Sequence, residues 1–358
     1  CIRDSRKAIA IAPNNGVAHN NLGNLLLEGG SIEDALKSYR AAQKAAPRDP
    51  VYAYNAGVAH TRLGQLSEAR EAYETAVRLR KGFAAAWNNL GVVYGRLDLN
   101  EKMVKAFRRA LRSDKRYTPA RYNLALALVR LGRAEEAAEH LGDVLLTEPG
   151  NSEAHRLMGQ ALVMRGAPDE AIHHYQKALV LSPEDAETRR LIGMAYARKG
   201  ELDRAIEFYM QQIAANPDDH EAVVLLARAY AAAGNMPAAL GQARRAVDIA
   251  PEDPAARLIL GEVLARQGEE DAARREFEAA AKAAPDDPRV LLRLGQARAT
   301  GGKLRSAAEA FRRAIKANPD SFEAHAHLGR ALLDARRYDE AEAPLRSALK
   351  LRPSHVEA

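Results

Sequence analysis

Proline recurs every 34 residues along this chain, at Pro149, Pro183, Pro217, Pro251, Pro285, Pro319 and Pro353, with Pro13 and Pro47 in the same register upstream. Lys81 and Lys115 fill the only two empty slots. A period of that length, held without one insertion, marks a solenoid of stacked repeats, in which each unit buries its apolar face against its neighbours. The chain has 358 residues, more than one compact core organises, and stacking removes that ceiling. A chain of this kind presents a long surface and does not build one deep pocket.

Units that begin three residues after each proline slot start at 16, 50, 84, 118, 152, 186, 220, 254, 288 and 322, which gives ten complete repeats. The eighth residue of each is Gly or Ala, as in Gly23, Gly57, Gly91 and Ala125. Glycine inside a helix costs about 1 kcal/mol relative to alanine, so its repetition predicts a close helix crossing there. The seventh residue is apolar from Leu22 to Leu328, and the twentieth is Ala35, Ala69 and their equivalents, with Met103 the exception. Four residues further on stands a large side chain in most units, such as Tyr39, Tyr73, Phe107 and Phe311. That i, i+4 spacing forms one stripe on a helix. Glycines near the fifteenth residue, from Gly30 to Gly302, mark a turn between two helices, and the proline stops the second of them. The unit therefore reads as a hairpin of two helices, roughly 13 and 14 residues long.

This pattern resembles the tetratricopeptide repeat. The third unit carries Trp87-Asn88-Asn89-Leu90-Gly91-Val92-Val93-Tyr94, the W-x-x-L-G-x-x-Y signature. The resemblance covers essentially the whole chain and implies an all-α fold, a right-handed α-solenoid or superhelix of ten helix-turn-helix repeats. Departures gather in units two to four, at Lys81, Asp98, Met103 and Lys115. Residues 1–15 align with the second half of a preceding repeat and 356–358 with the start of a further one, so a segment of a longer protein is expected. A lipidated Cys1 is the sharper alternative.

In this family the first helix of each unit lines a concave groove, with residues 2, 5, 6, 9, 12 and 13 facing inward. The resemblance thus places Asn21, Asn55, Asn89 and Asn123 at the sixth position of units one to four, followed by Leu157, Leu191, Leu225 and Ile259. Arg293 and His327 complete that row. An asparagine amide can pair with both C=O and N–H of a peptide. Helices ~8–10 Å apart would bring one amide to roughly every third residue of an extended chain. The four amides resemble the asparagine ladder of the O-linked N-acetylglucosamine transferases. Tyr54 and Tyr122 would add aromatic contacts, and Arg62, Arg96 and Arg130 would favour acidic side chains. The same asparagines could instead bond within or between helices. The apolar row could hold an apolar or helical motif, or pack on the neighbouring repeat. The family's chaperone-tail clamp lacks its cations here.

Composition narrows the classes further. With 53 basic against 47 acidic side chains the net charge is +6. Much of the basic charge lies late in helices, as at Arg108, Arg109 and Arg112, where it complements the helix dipole. No basic run is interleaved with aromatics, so no nucleic-acid partner is expected. No apolar stretch approaches the ~18 residues of a membrane span, so direct membrane insertion is not expected. One cysteine excludes an internal disulfide. The histidines form no convergent set: His173 and His174 are adjacent, and His19, His155 and His325 share one slot of distant units. No phosphate loop, H-E-x-x-H or G-x-S-x-G occurs. No catalytic residue, metal or cofactor is expected.

The functional expectation is a non-catalytic scaffold that binds extended or helical segments of partner proteins, with end-to-end self-association open. The alternatives are the substrate-recruiting arm of a larger enzyme such as a glycosyltransferase, or an assembly lipoprotein of a pilus, secretion or motility system. The Ala/Arg-rich composition suggests a bacterial source. A cytoplasmic chain is expected first, with periplasmic or lipid-anchored forms as alternatives.

Overall fold

The computed structural model describes residues 2–353; Cys1 and the expected further repeat at 356–358 lie outside the described residues. Among the described residues the secondary structure is entirely helical, in 21 helices. After α1 (Ile2–Ile11) the chain alternates shorter first helices with slightly longer second helices. The first helices are α2 (Gly16–Glu28), α4 (Pro50–Arg62), α6 (Ala84–Arg96), α8 (Thr118–Arg130), α10 (Ser152–Met164), α12 (Ala186–Lys199), α14 (His220–Ala232), α16 (Pro254–Arg266), α18 (Pro288–Thr300) and α20 (Phe322–Asp334). The second helices are α3 (Ile32–Ala45), α5 (Leu66–Leu79), α7 (Asn100–Ser113), α9 (Ala134–Thr147), α11 (Pro168–Leu181), α13 (Leu202–Ala215), α15 (Met236–Ile249), α17 (Glu270–Ala283), α19 (Leu304–Ala317) and α21 (Tyr338–Leu351).

Each hairpin is closed by packing of a first helix on its second; from α3 to α10 and again from α13 to α20, successive hairpins join by packing of that second helix on the next first helix. The chain divides into two compact units, Cys1–Pro183 and Glu184–Ala358. In each unit successive first helices also touch one another, and among the described residues no two second helices do so to the same extent. The first-helix layer is therefore the tighter, inner one within each unit.

The close crossing expected at the eighth residue is filled by the large side chain of the second helix. A Cβ built on Gly57 would lie 2.7 Å from two carbons of the Tyr73 ring, and one on Gly91 would lie 2.5 Å from Phe107. The two units with alanine in this slot, at Ala125 and Ala227, have no ring opposite: Leu141 and Ala243 stand there. Slot and partner are matched in size in these units, and at Gly329 a leucine takes the place of the ring, with Leu345 crowding an added Cβ. Tyr73, Leu90, Val93, Phe107, Leu124 and Leu128 form the core of the first unit by this stacking. In the second, Phe311, Leu328 and Leu332 do the same.

The turn glycines have positive φ, for example Gly132 at 75°. Asp98 and Arg336 occupy the equivalent slot at φ 56° and 58°, so the helix bounds survive at the price of about 1 kcal/mol or more of backbone strain. Met103, oversized for an alanine slot, is accommodated by Gly95, whose added Cβ would sit 2.8 Å from its sulfur.

The junctions between repeats are tied by side chains. The fourth residue of a unit donates to the carbonyl six residues earlier: His19 to Pro13 at 2.8 Å, Trp87 to Lys81 at 2.8 Å, His155 to Pro149 at 3.2 Å, Arg257 to Pro251 at 2.6 Å and His325 to Pro319 at 2.9 Å. Arg121 does the same to Lys115. Ala53, Val223 and Leu291 cannot; at the last two an arginine of the following second helix substitutes, Arg245 to Pro217 at 2.7 Å and Arg313 to Pro285 at 2.6 Å. Three of the histidines thus serve the fold.

Candidate functional site

Asparagine is a poor residue for a helix interior because its amide competes for backbone groups. Its placement on the first helices therefore needs bonding partners, and most of those partners lie one repeat away. Asn55 donates its Nδ2 to Asn20 Oδ1 at 2.7 Å and, more weakly, to Asn24 Oδ1 at 3.3 Å. Asn123 donates to Asn88 Oδ1 at 2.9 Å. Asn89 reaches the hydroxyls of Tyr54 at 3.3 Å and Tyr73 at 3.4 Å, and accepts from Asn88 at 3.2 Å. The amides form short chains between neighbouring first helices of the first unit. Asn55, Asn89 and Asn123 are half-buried, whereas Asn21 is exposed. The reading that asparagines bond between helices thus holds for three of the four, together with a second row, Asn20, Asn24 and Asn88, that the sixth position alone does not contain. The alternation Asn20, Tyr54, Asn88, Tyr122 at the fifth residue was its signal in the sequence.

Tyr54 packs on Phe83 at 4.9 Å between ring centroids and on Tyr73 at 5.8 Å. Burial raises its hydroxyl pKa, partly countered by the Asn89 bond. The Tyr73 hydroxyl, deeper still, is pushed up to about 12, again by burial first. Both therefore stay protonated donors at any physiological pH. Tyr122 donates to Glu153 at 3.3 Å, and burial followed by that carboxylate raises its pKa. Arg62 donates to the Leu27 carbonyl at 3.1 Å, so it braces the preceding repeat, while Arg96 and Arg130 are exposed.

In the apolar row, Leu157 and Ile259 are only 4% and 1% exposed. They pack into the repeats, and a ligand would reach neither without repacking. Leu191 and Leu225 are half-buried. The inner face of the second unit is more polar than that row implies. Arg293 donates to Glu262 at 2.8 Å and to Gln296 at 3.0 Å, and Gln296 meets His327 at 2.8 Å. His327 stacks on Phe311 at 5.6 Å, and burial, then Arg293, depress its pKa, favouring the neutral ring. A shallow cavity of about 310 Å³ lies beside Arg293 and Gln296.

Caps separate the helices further. Eight first helices begin with a side-chain cap, as where Asp185 accepts from Thr188 N and Asp219 from Ala222 N. The other two, α6 and α8, begin at Phe83 and Tyr117 with no side-chain cap bond, forgoing roughly 1 kcal/mol each.

Chemically, these faces offer amide, guanidinium and phenol groups along stacked helices. Among the described residues no group of three or more His, Cys, Asp or Glu could hold a metal ion, and no helix is long and apolar enough to cross a membrane.

Such an array of paired helices defines a repeat protein of the tetratricopeptide class. The family model described as Cilia and flagella-associated protein 70 C-terminal domain, a tetratricopeptide repeat model, matches residues 102–358, and the chain belongs to this family. The general tetratricopeptide repeat model matches residues 5–50, 20–82 and 54–117. No curated protein matches the sequence. Among solved structures, a tetratricopeptide repeat protein from Parabacteroides merdae is similar at 18% identity and TM-score 0.60, over 69% of this chain and 98% of that one. Yeast Tom70 is similar at 14% identity and TM-score 0.58, over 96% and 93%. The Cut9–Hcn1 assembly of APC/C gives 13% identity and TM-score 0.57, over 99% and 91%. At these identities the likeness is one of fold, a scaffold fold suited to protein–protein interaction and generally without catalysis.

Proposed function

We propose that the chain is a non-catalytic scaffold that holds an extended segment of a partner protein along the first helices of its first unit. One observation carries the reading: Asn55 and Asn123 each commit Nδ2 to the preceding repeat. The amide planes are thereby held while each Oδ1 keeps its capacity to accept from a peptide N–H. A preorganised acceptor loses little side-chain entropy on binding. Exposed Asn21 extends the row at one end, and exposed Arg96 and Arg130 favour acidic side chains beside it. Leu191 and Leu225 supply accessible apolar surface in the second unit.

The test is to select binding peptides by display against the chain and to measure their affinity for the wild type and for Asn55→Ala/Asn123→Ala by fluorescence anisotropy. Two lost hydrogen bonds at about 1 kcal/mol each predict at least a tenfold loss. Unchanged affinity would refute the amide-row reading.

A further inference from the structure

Three departures from the repeat coincide at the junctions before α6 and α8. Lys81 and Lys115 replace proline, and Phe83 and Tyr117 replace the Asn, Asp or Ser that opens every other first helix. The third departure is electrostatic. Residues 78–121 contain twelve basic and three acidic side chains, a net +9, whereas the whole chain is only +6. The remainder of the molecule is therefore slightly acidic.

The fold gathers these cations. Ser113 Oγ donates to the Lys81 carbonyl at 3.3 Å, so the two junction loops abut. Arg80, Lys81, Lys115 and Arg116 on the loops, and Arg109 and Arg112 on α7, are all exposed. Two nearby carboxylates are already engaged, Glu136 by Arg108 at 2.7 Å and by Arg133, and Asp143 by Arg121, while Asp114 in the edge itself accepts from the Arg116 backbone N–H at 2.9 Å. Among the described residues none of the six exposed cations forms an ion pair. Phe83 and Trp87, by contrast, are engaged in the fold. The Arg80 guanidinium lies 3.8 Å over the Phe83 ring, Tyr54 packs on Phe83, and the Trp87 indole N–H is held by Lys81 O. A surface this rich in exposed cations, with its Phe83 ring covered, reads charge first.

We infer that the edge formed by residues 80–83 and 114–117, with the outer face of α7, is a docking surface for an acidic segment of a partner protein. Guanidinium groups pair with carboxylates in a bidentate fork. Junctions one repeat apart would meet an acidic residue at about every third position of an extended chain. This surface uses none of the first-helix amides, so it stands or falls separately from the groove.

A fluorescein-labelled peptide of repeating Asp-Glu-Gly, titrated with the full chain at low and high salt, tests it. The wild type is expected to bind with strong salt dependence. Lys81→Ala/Lys115→Ala/Arg116→Ala is expected to weaken binding roughly tenfold. Lys282→Ala/Lys316→Ala, which removes exposed cations from the second unit, should bind like the wild type, as should Asn55→Ala/Asn123→Ala. Charge reversal at Arg109→Glu/Arg112→Glu approaches the same surface from α7 and should likewise weaken binding at least roughly tenfold. Helicity by circular dichroism should be the same for every lysine and arginine variant, since only exposed side chains change in them. Unaltered binding by the triple variant would overturn the inference. So would tighter binding of labelled oligothymidylate that the triple variant loses, since nucleic acid would then be the occupant. A dimer in sedimentation that the triple variant dissolves, without peptide binding, would assign the surface to a second copy.

Discussion

Gly57→Ala separates two opposed effects of one methyl group. Alanine in place of a mid-helix glycine gains about 1 kcal/mol of helix propensity. Here the new Cβ would meet the Tyr73 ring at 2.7 Å, and Tyr73, only 1% exposed, has no room to retreat. Overpacking of that kind costs about 1–3 kcal/mol, and a rigid buried ring puts it at the upper end. The net expectation is a loss of about 2 kcal/mol. Gly142→Ala is the control, because Gly142 lies within α9 with nothing inside 4 Å of an added Cβ. That variant should gain about 1 kcal/mol. The third member, Gly57→Ala/Tyr73→Leu, copies the natural pairing of Ala125 with Leu141. Tyr73→Leu alone should cost about 2 kcal/mol through its cavity. The double variant should be clearly more stable than the sum of its parts. Midpoints of urea denaturation followed by circular dichroism are the proper measure, because long repeat arrays need not unfold in two states. If Gly57→Ala matches Gly142→Ala, or the pair proves additive, the account of the crossing is wrong.

Burial pushes the Asp219 carboxyl up, but the Ala222 N–H, the Gln212 amide and Arg190 together hold it below the usual carboxylate range. Its stabilisation is therefore present above the unfolded value of about 4 and lost as pH falls through the folded one. Asp219→Asn should cost about 1–2 kcal/mol at neutral pH and far less once pH has fallen through the depressed folded-state value, read from denaturation midpoints. His174 is pushed down to about 4, by burial first and then by His155 and Lys177. The unfolded chain then takes up more protons between its own value of about 6.5 and the folded one, so stability falls as pH drops through that window. His174→Gln should flatten that decline, which the same midpoints would show. Ser321→Ala, which removes the cap of α20, should lower stability by about 1 kcal/mol and speed amide exchange in that helix's first turn.

Helix lengths and register were legible because proline, small-residue and aromatic slots recur ten times, and each recurrence averages out a local exception. The partner of the aromatic was less legible. Sequence spacing joins Tyr73 to Ala69 on one helix, but the contact that determines its size is Gly57 on the other. Amide direction was harder again. Asn55 and Asn20 are 35 residues apart, and whether they face a ligand or each other depends on the rotation between repeats, which no single unit encodes. The burial of Leu157 and Ile259 has the same origin. The basic surface escaped a linear reading because its cations are spread over two hairpins, with Glu101 and Asp114 between them. Only the abutting loops bring them together.

The tie that recurs across most junctions has a consequence for how the repeats vary. Imidazole, indole and guanidinium groups all satisfy the same proline-slot carbonyl, and at Pro217 and Pro285 the donor has moved to a different helix altogether. What is preserved is a proton aimed at one oxygen, with the residue that delivers it left free to drift. Val223 and Leu291 are buried in the core at this position, and there Arg245 and Arg313 supply the proton instead.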